Sequence, residues 1–119
     1  MITLADVLPL LEAEIFVTHA DLTTIRLQHV IASDLMSDVL VANHHMDHFI
    51  LVTSLASDQM IRTADLVGAS GIILVNGKRP PQSLLRLAAD LDLPLLGTAM
   101  PKFETCLCIG QALNKELQV

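Results

Sequence analysis

Three short, uninterrupted apolar runs constrain the fold of this chain more strongly than any other feature. The runs are FILVTS at 49–54, GIILVNG at 71–77 and PLLGT at 94–98. Each precedes a segment with helical apolar periodicity, at 57–68, 80–92 and 101–117. Continuous apolar strands are typical of parallel sheets covered on both faces, and short loops between alternating strands and helices imply right-handed crossovers. We therefore predict one α/β domain over residues 1–119, with three α/β/α layers around a mostly parallel sheet.

The first part of the chain and its last helix give further expectations. A helix capped by Thr3 is expected at the start, shortened or bent by Pro9. Two strands and a helix follow, at 14–20, 25–33 and 33–42. Either Ser33 or Asp34 is expected to cap that helix. The last helix is predicted to bury the face that carries Phe103, Cys106, Gly110, Leu113 and Leu117.

Composition narrows the function classes. The 119 residues are 52% hydrophobic but only 3% aromatic, with no Trp or Tyr, and the formal net charge is −6. Nucleic-acid binding is not expected, because it needs a basic surface and stacking aromatic rings. No apolar run approaches the ~20 residues of a membrane helix, and two cysteines with no signal-like start indicate a cytoplasmic protein. The high apolar content of a small acidic chain indicates that part of its surface is buried in an oligomer.

Polar loops follow the predicted parallel strands, where open α/β sheets bind their ligands. The candidate ligand-binding residues are Thr53, Ser54, Asn76, Gly77, Lys78, Arg79, Gly97 and Thr98. Gly77 allows a close backbone approach, and Lys78 and Arg79 supply positive charge. Free loop N–H groups and the following helix N-terminus add to this preference for an anion such as phosphate. An ordinary solvated loop is the alternative, since the Rossmann fingerprint and the GxxxxGK[ST] phosphate loop are both absent.

The segment NHHMDHF at 43–49 is the candidate metal site, because it places His44, His45 and His48 close to Asp47. Imidazole and carboxylate groups suit transition metals. The spacing is not that of the HExxH pair, however, and no cysteine lies nearby in sequence. We therefore interpret the segment as a polar, pH-responsive loop and predict no metal or other cofactor.

The sequence contains no nucleophile and base spaced for catalysis, and the GxSxG motif is absent. Asp34 and Asp38 lie one turn apart in a predicted helix, so they could present two carboxylates together, for example to Mg²⁺. A solvated helix start favoured by the helix dipole is the alternative. Cys106 and Cys108 point in different directions on a helix and cannot bind one ion together.

An ordered series of segments resembles the DRTGG domain. The segments are ASDLMSDVL at 32–40, ILVTSLASDQMIRTA at 50–64, GASGIILVNGKRP at 68–80 and PLLGTAMPKFETC at 94–106. DRTGG domains accompany pyrophosphatases with CBS domains and long phosphotransacetylases, and they also occur alone. They are similar to the N-terminal domain of HPr kinase/phosphorylase. The resemblance, which covers residues 20–117, implies a stand-alone regulatory or dimerisation domain with that fold and no catalytic activity.

The chain keeps some family-like positions and lacks others. Besides Thr53, Gly77 and Thr98 of the loops, the family-like positions are Asp34, Asp38, Phe103 and Thr105. The naming motif is incomplete, since 55–58 reads LASD without the arginine and 75–77 reads VNG with a single glycine.

Three functions are open on this basis. The one we expect is a homodimeric, non-catalytic regulatory domain, with a nucleotide or phosphorylated metabolite as the candidate ligand at the strand carboxyl ends. The second is an interaction module that docks a partner enzyme, such as a hydrogenase or a phosphotransfer enzyme. The third is a small Mg²⁺-dependent enzyme that acts on phosphoryl groups.

Overall fold

Five strands and five α-helices make up the part of the chain that the computed structural model describes, residues 1–42 and 46–117. The helices are α1 (Leu4–Leu11), α2 (Met36–Ala42), α3 (Asp58–Leu66), α4 (Gln82–Asp90) and α5 (Lys102–Leu117), with a 3-10 turn at Leu22–Thr24. The strands are β1 (Glu14–Val17), β2 (His29–Ala32), β3 (Phe49–Thr53), β4 (Gly71–Leu74) and β5 (Leu95–Gly97). Within the described ranges, no helix is both long and apolar enough to cross a membrane.

The strands form one sheet in the order β1-β5-β4-β3-β2. The strands from β2 to β5 are parallel to their neighbours, and β1 is antiparallel to β5 at one edge. Helices α2, α3 and α4 pack on one face, and α1 and α5 pack on the other. The predicted three-layer α/β fold with a mostly parallel sheet is therefore confirmed, and the carboxyl ends of β2 to β5 share one edge.

The central strands are apolar throughout because both of their faces are covered. In β3, Leu51 packs towards α2, α3 and α4, whereas Ile50 and Val52 pack towards α1 and α5. All three side chains have no exposed surface. Burial of both faces removes the alternation of polar and apolar residues that a half-exposed strand shows.

Two predictions for the first part of the chain are only partly right. The helix capped by Thr3 is present, but Pro9 does not end it, and α1 continues to Leu11. Pro9 is exposed, so its ring projects into solvent and the helix loses the one hydrogen bond that the missing N–H cannot donate. Both strands are shorter than predicted, since β1 ends at Val17 and β2 spans only His29–Ala32.

The start of α2 also differs from the prediction. The helix begins at Met36, so neither Ser33 nor Asp34 is its N-cap. The Ser33 hydroxyl instead accepts a hydrogen bond from the Leu35 N–H at 3.0 Å, which forms a turn before the helix.

The predicted buried face of α5 is only partly right, since Cys106 and Leu113 are half-buried against the core. Phe103 is 71% exposed and Gly110 is also exposed, whereas Thr105 and Ile109 have no exposed surface. Thr105 can face the core because its hydroxyl donates to the Pro101 carbonyl at 2.9 Å, which satisfies the polar group within the helix. Apolar periodicity does not assign a threonine to the core, so the predicted face is rotated away from the one that contains Thr105.

Candidate functional site

A pocket of about 180 Å³ opens at the carboxyl edge of the sheet, beside the ends of β4 and β5. Its wall comes from the segment leading into β1, β1 itself, the loop after β4 and the end of β5. The lining residues are Glu12, Glu14, Phe16, Gly77, Lys78, Arg79, Gly97, Thr98 and Ala99. Most of the predicted ligand-binding residues therefore meet here, joined by an acidic and aromatic edge that the sequence did not indicate.

The loop after β4 is held by backbone hydrogen bonds at the rim of this pocket. Asn76 and Gly77 have positive φ angles of 61° and 67°. The Asn76 N–H donates to the Met100 carbonyl and the Gly77 N–H donates to the Thr98 carbonyl, both at 2.9 Å. Contrary to expectation, these two amides are not free to bind an anion.

The Arg79 guanidinium makes two contacts at the pocket. Its guanidinium donates to both carboxylate oxygens of Glu14, at 3.2 and 2.7 Å, and its Cζ lies 5.3 Å from the centroid of the Phe16 ring. The hydrogen bond from Arg79 holds the pKa of Glu14 below its ordinary value. Lys78, the adjacent residue, is exposed, and its ammonium has no hydrogen-bond or ion-pair partner among the described residues.

The ring of Phe16 lies directly over Gly97. The pairing of β1 with β5 is irregular between Ile15 and Val17, which leaves Phe16 as an extra residue and turns its side chain across the partner strand. A Cβ atom added at Gly97 would lie 2.4 and 2.7 Å from two carbons of the ring. Gly97 therefore contributes to the pocket by making room for this ring.

Thr98 has a structural role at the base of the pocket. It is 4% exposed, and its hydroxyl donates to the Leu11 carbonyl at 2.7 Å and accepts the Met100 N–H at 3.2 Å. These bonds join the end of α1 to the end of β5, so the hydroxyl of Thr98 is already used within the fold.

Thr53 and Ser54 do not line this pocket but belong to a second polar cluster around Asp34. One carboxylate oxygen of Asp34 accepts the Thr53 hydroxyl and the Ser54 N–H, both at 2.8 Å. The other accepts the Ser54 hydroxyl at 2.5 Å and the Lys102 ammonium at 2.9 Å. The cluster therefore ties the loop after β2 to the end of β3 and to the first residue of α5.

The environment of Asp34 determines its charge. Partial burial alone would raise the pKa of Asp34, but the hydrogen bonds from Ser54, Lys102 and Thr53 outweigh burial and hold it well below the ordinary value of 3.8. Asp34 precedes α2, whereas Asp38 lies in its first turn, so the prediction of two carboxylates on one helix is wrong. The loop conformation set by Ser33 explains the error.

The histidine-rich segment is only partly described. His44 and His45 lie outside the described residues. His48 is exposed with a φ angle of 55°, and its carbonyl accepts hydrogen bonds from the N–H groups of Gln28 and His29 at 2.7 and 3.3 Å. Within residues 1–42 and 46–117, no group of three or more His, Cys, Asp or Glu residues is arranged to hold a metal ion.

The fold and the pocket together define a three-layer α/β domain with a mixed-charge site at the carboxyl edge of its sheet. Among solved structures, a similar fold occurs in the CBS and DRTGG domains of the regulatory region of Clostridium perfringens pyrophosphatase, which was crystallised with the activator diadenosine tetraphosphate. The TM-score is 0.73 over 93% of this chain, with 17% sequence identity. This chain spans 47% of the length of that structure. The fold is therefore DRTGG-like.

Sequence comparison adds nothing to this structural similarity. No protein-family model matches the chain, and no curated protein matches it by sequence.

Sequence reasoning missed the residues that β1 brings to the site. Glu14 and Phe16 reach the pocket because β1 pairs with β5 at the sheet edge. The antiparallel β1 lies outside the βαβ alternation from which we inferred the loops. A signal was nevertheless present, since Gly97 in an otherwise bulky apolar strand is typical of a close approach by another group.

Proposed function

We propose that this domain is a non-catalytic regulatory module that binds a small anionic ligand, with a nucleotide as the preferred class. The observation that carries the proposal is the convergence of Lys78, Arg79 and the Phe16 ring in one pocket at the carboxyl edge of the sheet. The similarity to a regulatory region crystallised with a dinucleotide activator supports the choice of ligand class.

The chemistry of the wall suits the parts of a nucleotide. Lys78 offers an exposed ammonium and Arg79 a planar guanidinium, which are the two side chains that most often bind phosphate. Phe16 offers apolar surface beside these two cations. The volume of about 180 Å³ lies below the roughly 300–1,000 Å³ of pockets that enclose whole ligands. We therefore expect the pocket to hold the phosphate end of a ligand and leave the remainder near the surface.

Replacing Lys78 with alanine is expected to weaken ATP binding about tenfold, because a phosphate loses one charge-assisted contact. Isothermal titration calorimetry, with AMP, ADP, ATP and diadenosine tetraphosphate as a starting panel, measures this change. Arg62→Ala is the matched control, since it removes a positive charge from the exposed side of α3, away from the pocket lining. The absence of binding by the whole panel, or an equal loss in both variants, contradicts the proposed site.

A role in binding without turnover fits the state of Asp34, the candidate Mg²⁺ ligand. Both of its carboxylate oxygens accept hydrogen bonds from Thr53, Ser54 or Lys102, and Lys102 already balances its charge. Metal-dependent hydrolysis of a nucleotide that disappears in Asp34→Asn would instead support the enzyme hypothesis.

Interaction with a second chain is the other candidate function, and a specific surface favours it. On α5, Phe103 is 71% exposed and Leu107, one turn later, is 46% exposed. Leu35, at 57% exposure, follows Asp34, which binds Lys102 at the start of the same helix. Neighbouring exposed apolar side chains are typical of association surfaces. We propose that this surface mediates a homodimer or docks a partner enzyme.

Replacing Phe103 with glutamate is expected to dissociate the homodimer, because a carboxylate would be buried in its apolar interface. Sedimentation velocity measures the change as a shift from dimer to monomer at a fixed protein concentration. Leu66→Glu is the matched control, since Leu66 is 77% exposed on α3. A wild-type protein that is already monomeric contradicts the dimer and leaves partner docking as the use of this surface.

A further inference from the structure

The Glu14 carboxylate binds Arg79 in the way that an incoming anion would. The two side chains form a two-pronged contact, with Nη1 and Nη2 of Arg79 donating to the two carboxylate oxygens at 3.2 and 2.7 Å. A phosphate group uses the same parallel arrangement of donors on a guanidinium. Both side chains line the pocket, so the ion pair lies within the candidate site.

The pair is held loosely enough to be exchanged. The side chains of Arg79 and Glu14 are 70% and 51% exposed, and exposed ion pairs stabilise a fold only weakly. Arg79 also has a second contact, since its Cζ lies 5.3 Å from the centroid of the Phe16 ring. The ring can therefore keep the guanidinium at the pocket after the carboxylate has left.

The formal charges of the pocket wall also bear on anion binding. Glu12 and Glu14 balance Lys78 and Arg79, so the lining as a whole carries no formal charge. Lys78 can bind an anion as it stands, but Arg79 becomes free for an anion only if a carboxylate moves away from it. Glu14 is the one that contacts Arg79 directly.

We infer that Glu14 is an internal competitor, whose carboxylate occupies Arg79 until an anionic ligand displaces it. This inference rests on the proposed function and adds its regulation. Glu14 thereby limits which anions can bind, because an anion must interact with Arg79 more strongly than a carboxylate does. Groups with two negative charges, such as a terminal phosphate, meet that condition better than carboxylates do.

Titration calorimetry with ATP, in buffer without divalent cations, tests the inference. Glu14→Gln is expected to bind ATP about threefold to tenfold more tightly than the wild type, because the ligand no longer has to break an ion pair. Glu12→Gln is the matched control, since it removes the same charge from the same wall, and a gain of about twofold or less is expected. In an Arg79→Ala background, Glu14→Gln is expected to raise the affinity for ATP by no more than Glu12→Gln does.

The outcomes separate this inference from the proposed function. ATP binding by the wild type with an equal gain in Glu14→Gln and Glu12→Gln overturns the competitor and leaves the binding site in place. Weaker binding by Glu14→Gln also overturns it, because Glu14 would then be positioning Arg79 for the ligand. No ATP binding by either the wild type or Glu14→Gln overturns the proposed nucleotide site itself, and the competitor with it.

Discussion

Replacing Asp34 with alanine is expected to lower the free energy of unfolding by about 1–3 kcal/mol. The carboxylate accepts hydrogen bonds from Thr53, Ser54 and Lys102, and its loss leaves the O–H of the fully buried Thr53 without its acceptor. The charge contributes less than the hydrogen bonds do, because the Asp34 side chain is 44% exposed and solvent screens it. Urea denaturation followed by circular dichroism measures the change.

The contribution of Asp34 also depends on pH in a defined direction. Its pKa is lowered in the fold, so its stabilising effect is complete above the ordinary value of 3.8 and is lost as the pH falls further, through the lowered value. The difference in unfolding free energy between the wild type and Asp34→Ala is therefore expected to shrink below about pH 4. Asp38→Ala, in the exposed first turn of α2, is the control and should cost less than about 1 kcal/mol. Equal costs for the two variants at neutral pH would show that the cluster does not tie the loops together.

The architecture was predictable from sequence because it depends on features that repeat along the chain. The apolar runs of β3, β4 and β5 are fully buried and parallel, as the alternation with helices predicted. The loops after these strands necessarily share one edge of the sheet. That inference was sufficient to predict that Gly77, Lys78 and Thr98 lie together.

The strand pattern could not predict that the candidate residues divide between the pocket and the cluster around Asp34. Ser54 joins Asp34 instead of the pocket because a turn before α2 directs that carboxylate towards the end of β3. Glu14 joins the pocket because β1 is antiparallel at the sheet edge. Both contacts link residues that are far apart in sequence, and neither the apolar periodicity nor a motif encodes them.

Replacing Gly97 with alanine is expected to cost about 1–3 kcal/mol of unfolding free energy and also to disturb the pocket. The added methyl group would lie 2.4 and 2.7 Å from two carbons of the Phe16 ring, so the ring must move. Phe16 also contacts the guanidinium of Arg79, and its displacement is therefore expected to weaken ATP binding as well. Urea denaturation and titration calorimetry on the same preparation measure both effects.

Gly110→Ala is the matched control for this prediction. Among the described residues, its added Cβ would meet no atom within 4 Å apart from its chain neighbours and the backbone of its own helix. The site lies inside α5, so alanine is expected to stabilise the protein by about 0.5–1 kcal/mol. The cause is tested by combining Gly97→Ala with Phe16→Ala, since removal of the ring should remove the clash and make the double variant less costly than the sum of the two single variants. A cost that adds fully, or a Gly97→Ala protein with unchanged stability and ATP affinity, would show that Gly97 does not seat the ring. A loss of stability in Gly97→Ala and a gain in Gly110→Ala, together with non-additive effects of Gly97→Ala and Phe16→Ala, would show that Gly97 makes room for the ring that the β1 bulge places beside Arg79.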